Sequence, residues 1–135
     1  ISEYGSDQVG MMKMLAGMPH MMRKPMMKGR LSQLLSLSEE KRQESIRDMI
    51  GAFHSPEVKD KAREKLISTR VEIISELPEE KRRTIMSSRA EALKSTQDLE
   101  EADLRIQERV LSDMSEPART AFETTWDEIR KGGNG

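Results

Sequence analysis

A chain of 135 residues has room for one ordinary domain, and 23 Lys and Arg against 24 Asp and Glu exclude polyelectrolyte behaviour. Leu, Ile, Val and Phe make up only about 19% of the residues, close to the level below which a packed core fails, so the 11 methionines are expected to share the packing. A single Trp and no Cys exclude an aromatic-rich core, disulfides, thiolate metal sites and Cys nucleophiles, and no apolar run approaches the roughly 18 residues of a membrane span.

The amino-terminal third, 1–36, differs in kind from the rest of the chain and is expected to be a Met-rich basic segment, partly helical. Between Gln8 and Ser36 stand five bases (Lys13, Arg23, Lys24, Lys28, Arg30) and no acid, and eight of the 11 methionines lie between Met11 and Met27. In a continuous helix Met11, Met14, Leu15, Met18 and then Met21 or Met22 would share a face. Pro19 and Pro25 each remove a backbone donor and crowd the preceding turn, which predicts short helical pieces with bends. The stretch 26–36 then carries Leu31, Leu34 and Leu35 toward a helical bundle formed by 37–135.

Within that bundle, helix starts recur. Leu37-Ser38-Glu39-Glu40-Lys41-Arg42, Leu77-Pro78-Glu79-Glu80-Lys81-Arg82 and Met114-Ser115-Glu116-Pro117-Ala118-Arg119 each place a capping or first-turn residue before acids and then bases. Ser38 and Ser115 can accept from orphan N–H groups, Pro78 suits a helix start, and first-turn acids meet the positive end of the macrodipole. Ser55-Pro56-Glu57 obeys the same logic. The apolar positions drift by a residue between copies, which reads as recurrent capping.

The apolar spacing predicts a helix over 38–53, with Ile46, Met49, Ile50 and Phe53 on one face. A second, over 56–76, carries Val58, Ala62, Leu66, Ile73 and Leu77, widened by Ile67, Val71 and Ile74; this broad stripe marks the central helix. From 78 to 113 no Gly or Pro intervenes, and Ile85, Ala92, Leu99 and Ile106 fall seven apart, with Val110 continuing the stripe. One long helix is expected there, the alternative being two that break near Ser95-Thr96. The last, over 115–130, carries Ala118, Phe122, Trp126 and Ile129 and stops at Gly132-Gly133. No segment alternates with period two. The expected fold is all-α, a bundle of four to five helices with short connections.

Chemistry is sparse. Adjacent acids such as Glu39-Glu40 and Glu79-Glu80 are explained by capping rather than by acid–base work. There is no Glu-x-x-His pattern, no Gly-rich phosphate loop and no Ser/His/Asp set, because the chain has only two histidines. An enzyme is not expected, and neither is a cofactor. Nucleic acid is not expected either: Lys81-Arg82-Arg83 is matched by nearby acids, and no aromatic residue lies beside that cluster or beside Arg23, Lys24, Lys28 and Arg30. His54, near a helix C-terminus, reads as structural.

The methionine cluster admits three roles. Helical apolar stripes most often fill a core. Thioether chains, unbranched and polarisable, also adapt to partners of irregular shape, and the basic flanks point that way. Thioethers and imidazole also suit Cu(I), so Met14, Met18, His20, Met21 and Met22, with Met11, form an alternative soft-metal set; five nearby positive charges oppose it.

Two resemblances accompany these residues. The stretch Met11 to Met27, Met-rich with cationic flanks, is similar to the signal-sequence-binding domain of signal recognition particle proteins, though without that domain's Gly/Ser-Arg RNA-binding stretch. Leu37-Ser38-Glu39-Glu40 and Leu77-Pro78-Glu79-Glu80 resemble the Leu-Thr-x-x-Gln repeats of small periplasmic helical-hairpin chaperones and metal-resistance sensors, with Lys41 and Lys81 where glutamines would stand. Both imply a chaperone-like helical protein. No site residue is carried over from either.

The leading expectation is a non-enzymatic interaction module that binds an apolar surface of a protein or lipid partner through Met11, Met14, Leu15, Met18, Met21, Met22, Met26, Met27, Arg23 and Lys24. The alternatives are a soft-metal-binding protein and a structural subunit, a homo-oligomer paired through its long helix. A Cys-free chain suits reducing and oxidising compartments alike, and a targeting peptide before Ile1 would leave no trace, so no compartment is read.

Overall fold

In the computed structural model, residues 2–132 are described, with the side chains of 8–96 and 98–132. They form seven helices and no strand: α1 Ser2–Gly17, α2 His20–Ser36, α3 Glu39–Phe53, α4 Asp60–Glu76, α5 Glu79–Lys94, α6 Gln97–Ser112 and α7 Glu116–Gly132. The all-α expectation holds. The count of four to five does not, for two local reasons.

The first lies in the amino-terminal third, where α1 and α2 are full helices of 16 and 17 residues. Pro19 separates them and caps α2, its carbonyl accepting from Met22 N (3.0 Å) and Arg23 N (2.9 Å). Pro25 produces no break and lies inside α2. Its missing N–H would have met the carbonyl of Met21; both residues are exposed, so water can replace that donor.

The second is the long helix expected over 78–113, which is two helices. The Ser95 hydroxyl donates to the Ala92 carbonyl (2.9 Å) and the Thr96 hydroxyl to that of Leu93 (3.1 Å). These side chains compete for the last carbonyls of α5 and end it. The Thr96 carbonyl then accepts from Leu99 N and Glu100 N, opening α6. Separately, α4 starts at Asp60, not at Pro56: Ser55 Oγ accepts from Glu57 N (3.2 Å), and Val58 N donates to the Ser55 carbonyl (3.0 Å). That turn buries Val58.

Each helix packs chiefly on the one two places along the chain: α1 on α3, α2 on α4, α3 on α5, α4 on α6 and α5 on α7. Helix α4 also meets α1 and α7, and it buries Leu66, Ile67, Val71, Ile73 and Ile74. It is the central helix its broad stripe predicted.

A repeated arginine holds this arrangement. Arg23, Arg42 and Arg82 each stand four residues into a helix, where side chains lean back toward the N-terminus. Each sends Nη1 to the carbonyl five residues earlier: Met18 (2.7 Å), Leu37 (2.7 Å) and Leu77 (2.9 Å). Each also sends Nε to a hydroxyl two helices on: Thr69 (3.0 Å), Ser88 (2.9 Å) and Thr125 (2.9 Å). These hydroxyls are almost wholly inaccessible. At Arg42 and Arg82 the start signal is therefore more than capping, because its final arginine pins helix to helix; among the described residues the guanidinium of Arg119, in the third, bonds only Glu116 of its own helix. Met18-Pro19-His20-Met21-Met22-Arg23 is a further copy, with His20 and Met21 in place of the acids and Met22 in place of the lysine.

Candidate functional site

The methionine-rich segment presents two faces. On α1, Leu15 and Ala16 are buried and Met11 and Met12 half-buried; on α2, Leu31 and Leu34 are buried and Met27 half-buried. Met14 of α1 and Met21, Met22 and Met26 of α2 are exposed, Met21 to 79%. These four are the large apolar side chains exposed among the described residues.

Of the residues expected to meet a partner, Leu15 and Arg23 are not available. Leu15 belongs to the core, and Arg23 is spent on Thr69 and Met18. Lys24 is held by α4: its Nζ lies 2.9 Å from Glu76 Oε2 and 3.4 Å from Glu72 Oε2. The Glu76 hydrogen bond leads in raising its pKa above the usual lysine value, against desolvation. His20 meets Glu72 as well, its Nε2 at 2.7 Å from Oε1. Burial alone would raise the Glu72 pKa, but His20 and Lys24 hold it below the usual carboxylate range. Lys13 lies 3.6 Å from Glu57. Two of the segment's five bases, Lys13 and Lys24, are thus paired with acids of the bundle.

Behind the inward methionines lies a cavity of about 120 Å³. It sits where α1 to α5 converge, walled mainly by apolar side chains such as Met11, Met12, Met27, Ile50 and Ile73. Three arginines join that wall: Arg30 from α2, Arg70 from α4 and Arg89 from α5.

Two of these arginines belong to a buried polar cluster. Asp103 of α6 is fully buried and accepts both guanidinium N–H groups of Arg89, at 2.7 and 2.9 Å. Its Oδ1 also accepts from His54 Nε2 at 2.9 Å, which places the imidazole proton on that nitrogen. Burial opposes the ionised form of Asp103, but the Arg89 charge, the His54 hydrogen bond and the Arg70 charge outweigh it. Its pKa lies well below the usual carboxylate range. Arg70 has only a long contact, from Nη2 to Gln107 Oε1 at 3.5 Å, and its Nε is sealed from solvent without a partner. Desolvation draws the Arg70 pKa down to about 9; Arg89 adds to the shift and Asp103 opposes it, and the group stays charged at neutral pH.

No family model, curated protein or solved structure matches this chain. The outward methionines and the guanidinium-bearing cavity are its two distinctive features.

Sequence reasoning missed the buried cluster, although a signal existed. Arg70 stands four after Leu66 and three before Ile73; Arg89 stands likewise between Ile85 and Ala92, and Asp103 between Leu99 and Ile106. Charges of both signs interrupt apolar stripes on three helices, which is the pattern of a buried ion pair. Among the described residues no group of three or more His, Asp or Glu side chains is placed to hold a metal ion, and no helix is long and apolar enough to cross a membrane.

Proposed function

We propose that the chain is a non-enzymatic interaction module whose outward methionines receive an amphipathic helix of a protein partner. One observation carries this reading: the exposed large apolar side chains, Met14, Met21, Met22 and Met26, all belong to one short stretch of α1 and α2. Exposing such side chains together has no benefit for folding, whereas flexible thioethers suit a ridge of leucine-like side chains on a helix. A protein helix is favoured over a lipid surface on two grounds. The patch has no Trp, Phe or Leu of the kind that seats interfacial helices. In addition, Lys13 and Lys24 are engaged with Glu57, Glu72 and Glu76 and so are less free for anionic headgroups.

Spectra of methyl-labelled methionine in the full chain test this reading. Titration with a leucine-faced amphipathic helical peptide should move the signals of Met14, Met21, Met22 and Met26. Changing those four to Ser should remove binding while helicity is kept. Peptide binding that survives the four substitutions refutes the reading; binding to anionic phosphatidylglycerol vesicles without peptide binding transfers the face to lipid.

A further inference from the structure

A cavity lies inside the bundle, and its lining includes none of the outward methionines. Arg70 and Arg89 share a single buried carboxylate, Asp103, and Arg89 takes both of its oxygens. Arg70 is left with a distant amide and a sealed, unpartnered Nε. A buried polar group without a partner is costly, and a buried charge more so, which makes such a group rare unless something completes it. The cluster is one negative charge short, and Arg70, half-buried as a residue, also lines a cavity, to which its guanidinium can offer N–H groups other than the sealed Nε.

The cavity specifies the rest of the missing group. At about 120 Å³ it approaches the roughly 150 Å³ of a void that admits benzene. Its lining is mainly apolar, so a hydrated inorganic anion would lose its shell without replacement. A guanidinium matches a carboxylate in plane and spacing, and one monoanion balances the surplus of the Arg70–Arg89–Asp103 cluster. Entry is provided for, since Met11, Met12 and Met27 are half-buried, unbranched chains between the cavity and the surface. Arg30, half-buried on α2, adds a cation on the same wall.

We propose that this cavity binds a small monocarboxylic acid whose apolar body is no larger than a benzene ring or a five-carbon chain. The carboxylate sits on Arg70, and the body lies among Met12, Met27, Ile50 and Ile73. Benzoate and hexanoate are the probes, with benzyl alcohol and hexan-1-ol as neutral counterparts of the same shape.

Titrated into the full chain, both acids should move the methyl signals of Met11, Met12 and Met27 and leave those of Met14, Met21, Met22 and Met26 in place. They should bind roughly tenfold to a hundredfold more tightly than the alcohols, the range of a hydrogen bond to a charged group. In Arg70→Met that advantage should vanish while the alcohols still bind. Met12→Trp, which fills the void from its wall, should remove all four ligands. Should Arg70→Met not fold, the acid-to-alcohol ratio and Met12→Trp decide the matter alone. The proposal is overturned if no lining methyl moves, if acids and alcohols bind equally, or if Met12→Trp leaves acid binding intact.

Discussion

Replacing Asp103 by Asn tests the buried cluster most directly. The substitution keeps the shape of the side chain and one carbonyl acceptor but removes the only carboxylate shared by His54, Arg89 and, through its charge, Arg70. One Arg89 N–H that now meets Asp103 at 2.7–2.9 Å would face an amide N–H₂, donor against donor. Two guanidiniums would then lie among apolar side chains with no counter-charge. Breaking a buried pair by deleting one member costs about 3–5 kcal/mol. With an unfolding entropy of about 2.1 cal/mol/K per residue, a chain of this length should melt roughly 11–18 °C lower. The pH dependence supplies a second check. Because the folded pKa of Asp103 lies below its unfolded value, its stabilisation is fully present above the ordinary carboxylate range near pH 4 and is lost as pH falls through the folded pKa. Urea denaturation should therefore show the full gap between the two proteins at pH 7 and a narrowing gap from about pH 5 downward. A gap under about 1 kcal/mol at pH 7, or one that does not change with pH, refutes the reasoning.

Three further outcomes are expected of the same structure. Thr69→Val and Ser88→Ala each strand the Nε of a buried arginine, Arg23 or Arg42, and should cost about 1–3 kcal/mol in urea denaturation, whereas a capping-only role for those helix starts expects almost nothing. Gly29 and Gly51 lie inside helices with open space where a Cβ would go, so the double change to Ala should stabilise by about 1–2 kcal/mol, measured by thermal denaturation. Pro25→Ala restores a donor for the Met21 carbonyl and should raise stability by about 1–3 kcal/mol, allowing for the greater freedom of the unfolded chain; a loss would show that Pro25 shapes α2 in a way its exposed position hides.

The helices were legible in sequence where caps and apolar periods agreed, and less so where a side chain competed with the backbone. Ser38 caps α3 as its position suggested, accepting from Lys41 N, and the stripe of α4 marked the central helix. The break after α5 was harder, because Ser95 and Thr96 end a helix by bonding back to Ala92 and Leu93, and hydroxyl residues are also tolerated within helices. Pro25 misled in the opposite sense: a proline near a helix start is accommodated when the orphaned carbonyl faces water. At the candidate site the methionines were visible and their facing was not. Met11, Met14, Leu15 and Met18 form one stripe on a helical wheel, yet α1 turns Met11, Met12 and Leu15 inward and Met14 outward, a choice set by how it lies on α3 and α4.

Methionine shares the packing of the interior from its margin: Met11, Met12, Met18, Met27, Met49 and Met114 lie half-buried against the core. Among the fully buried apolar side chains Met86 is the one methionine; the rest are mostly Ile, Leu and Val. Arginine adds to this packing. Arg23 and Arg42 are buried, their aliphatic stems adding apolar contact and their guanidiniums bonded to buried hydroxyls and helix-start carbonyls. A chain modest in Leu, Ile, Val and Phe can thus assemble helices through repeated guanidinium–hydroxyl pins, each satisfying polar groups that would otherwise be stranded. Folding then makes little demand on Met14, Met21, Met22 and Met26, whose change to Ser should alter stability by no more than about 0.5 kcal/mol each, as for surface positions generally. That separation allows the four-Ser variant to report on binding, since a lost partner could not be attributed to a lost fold.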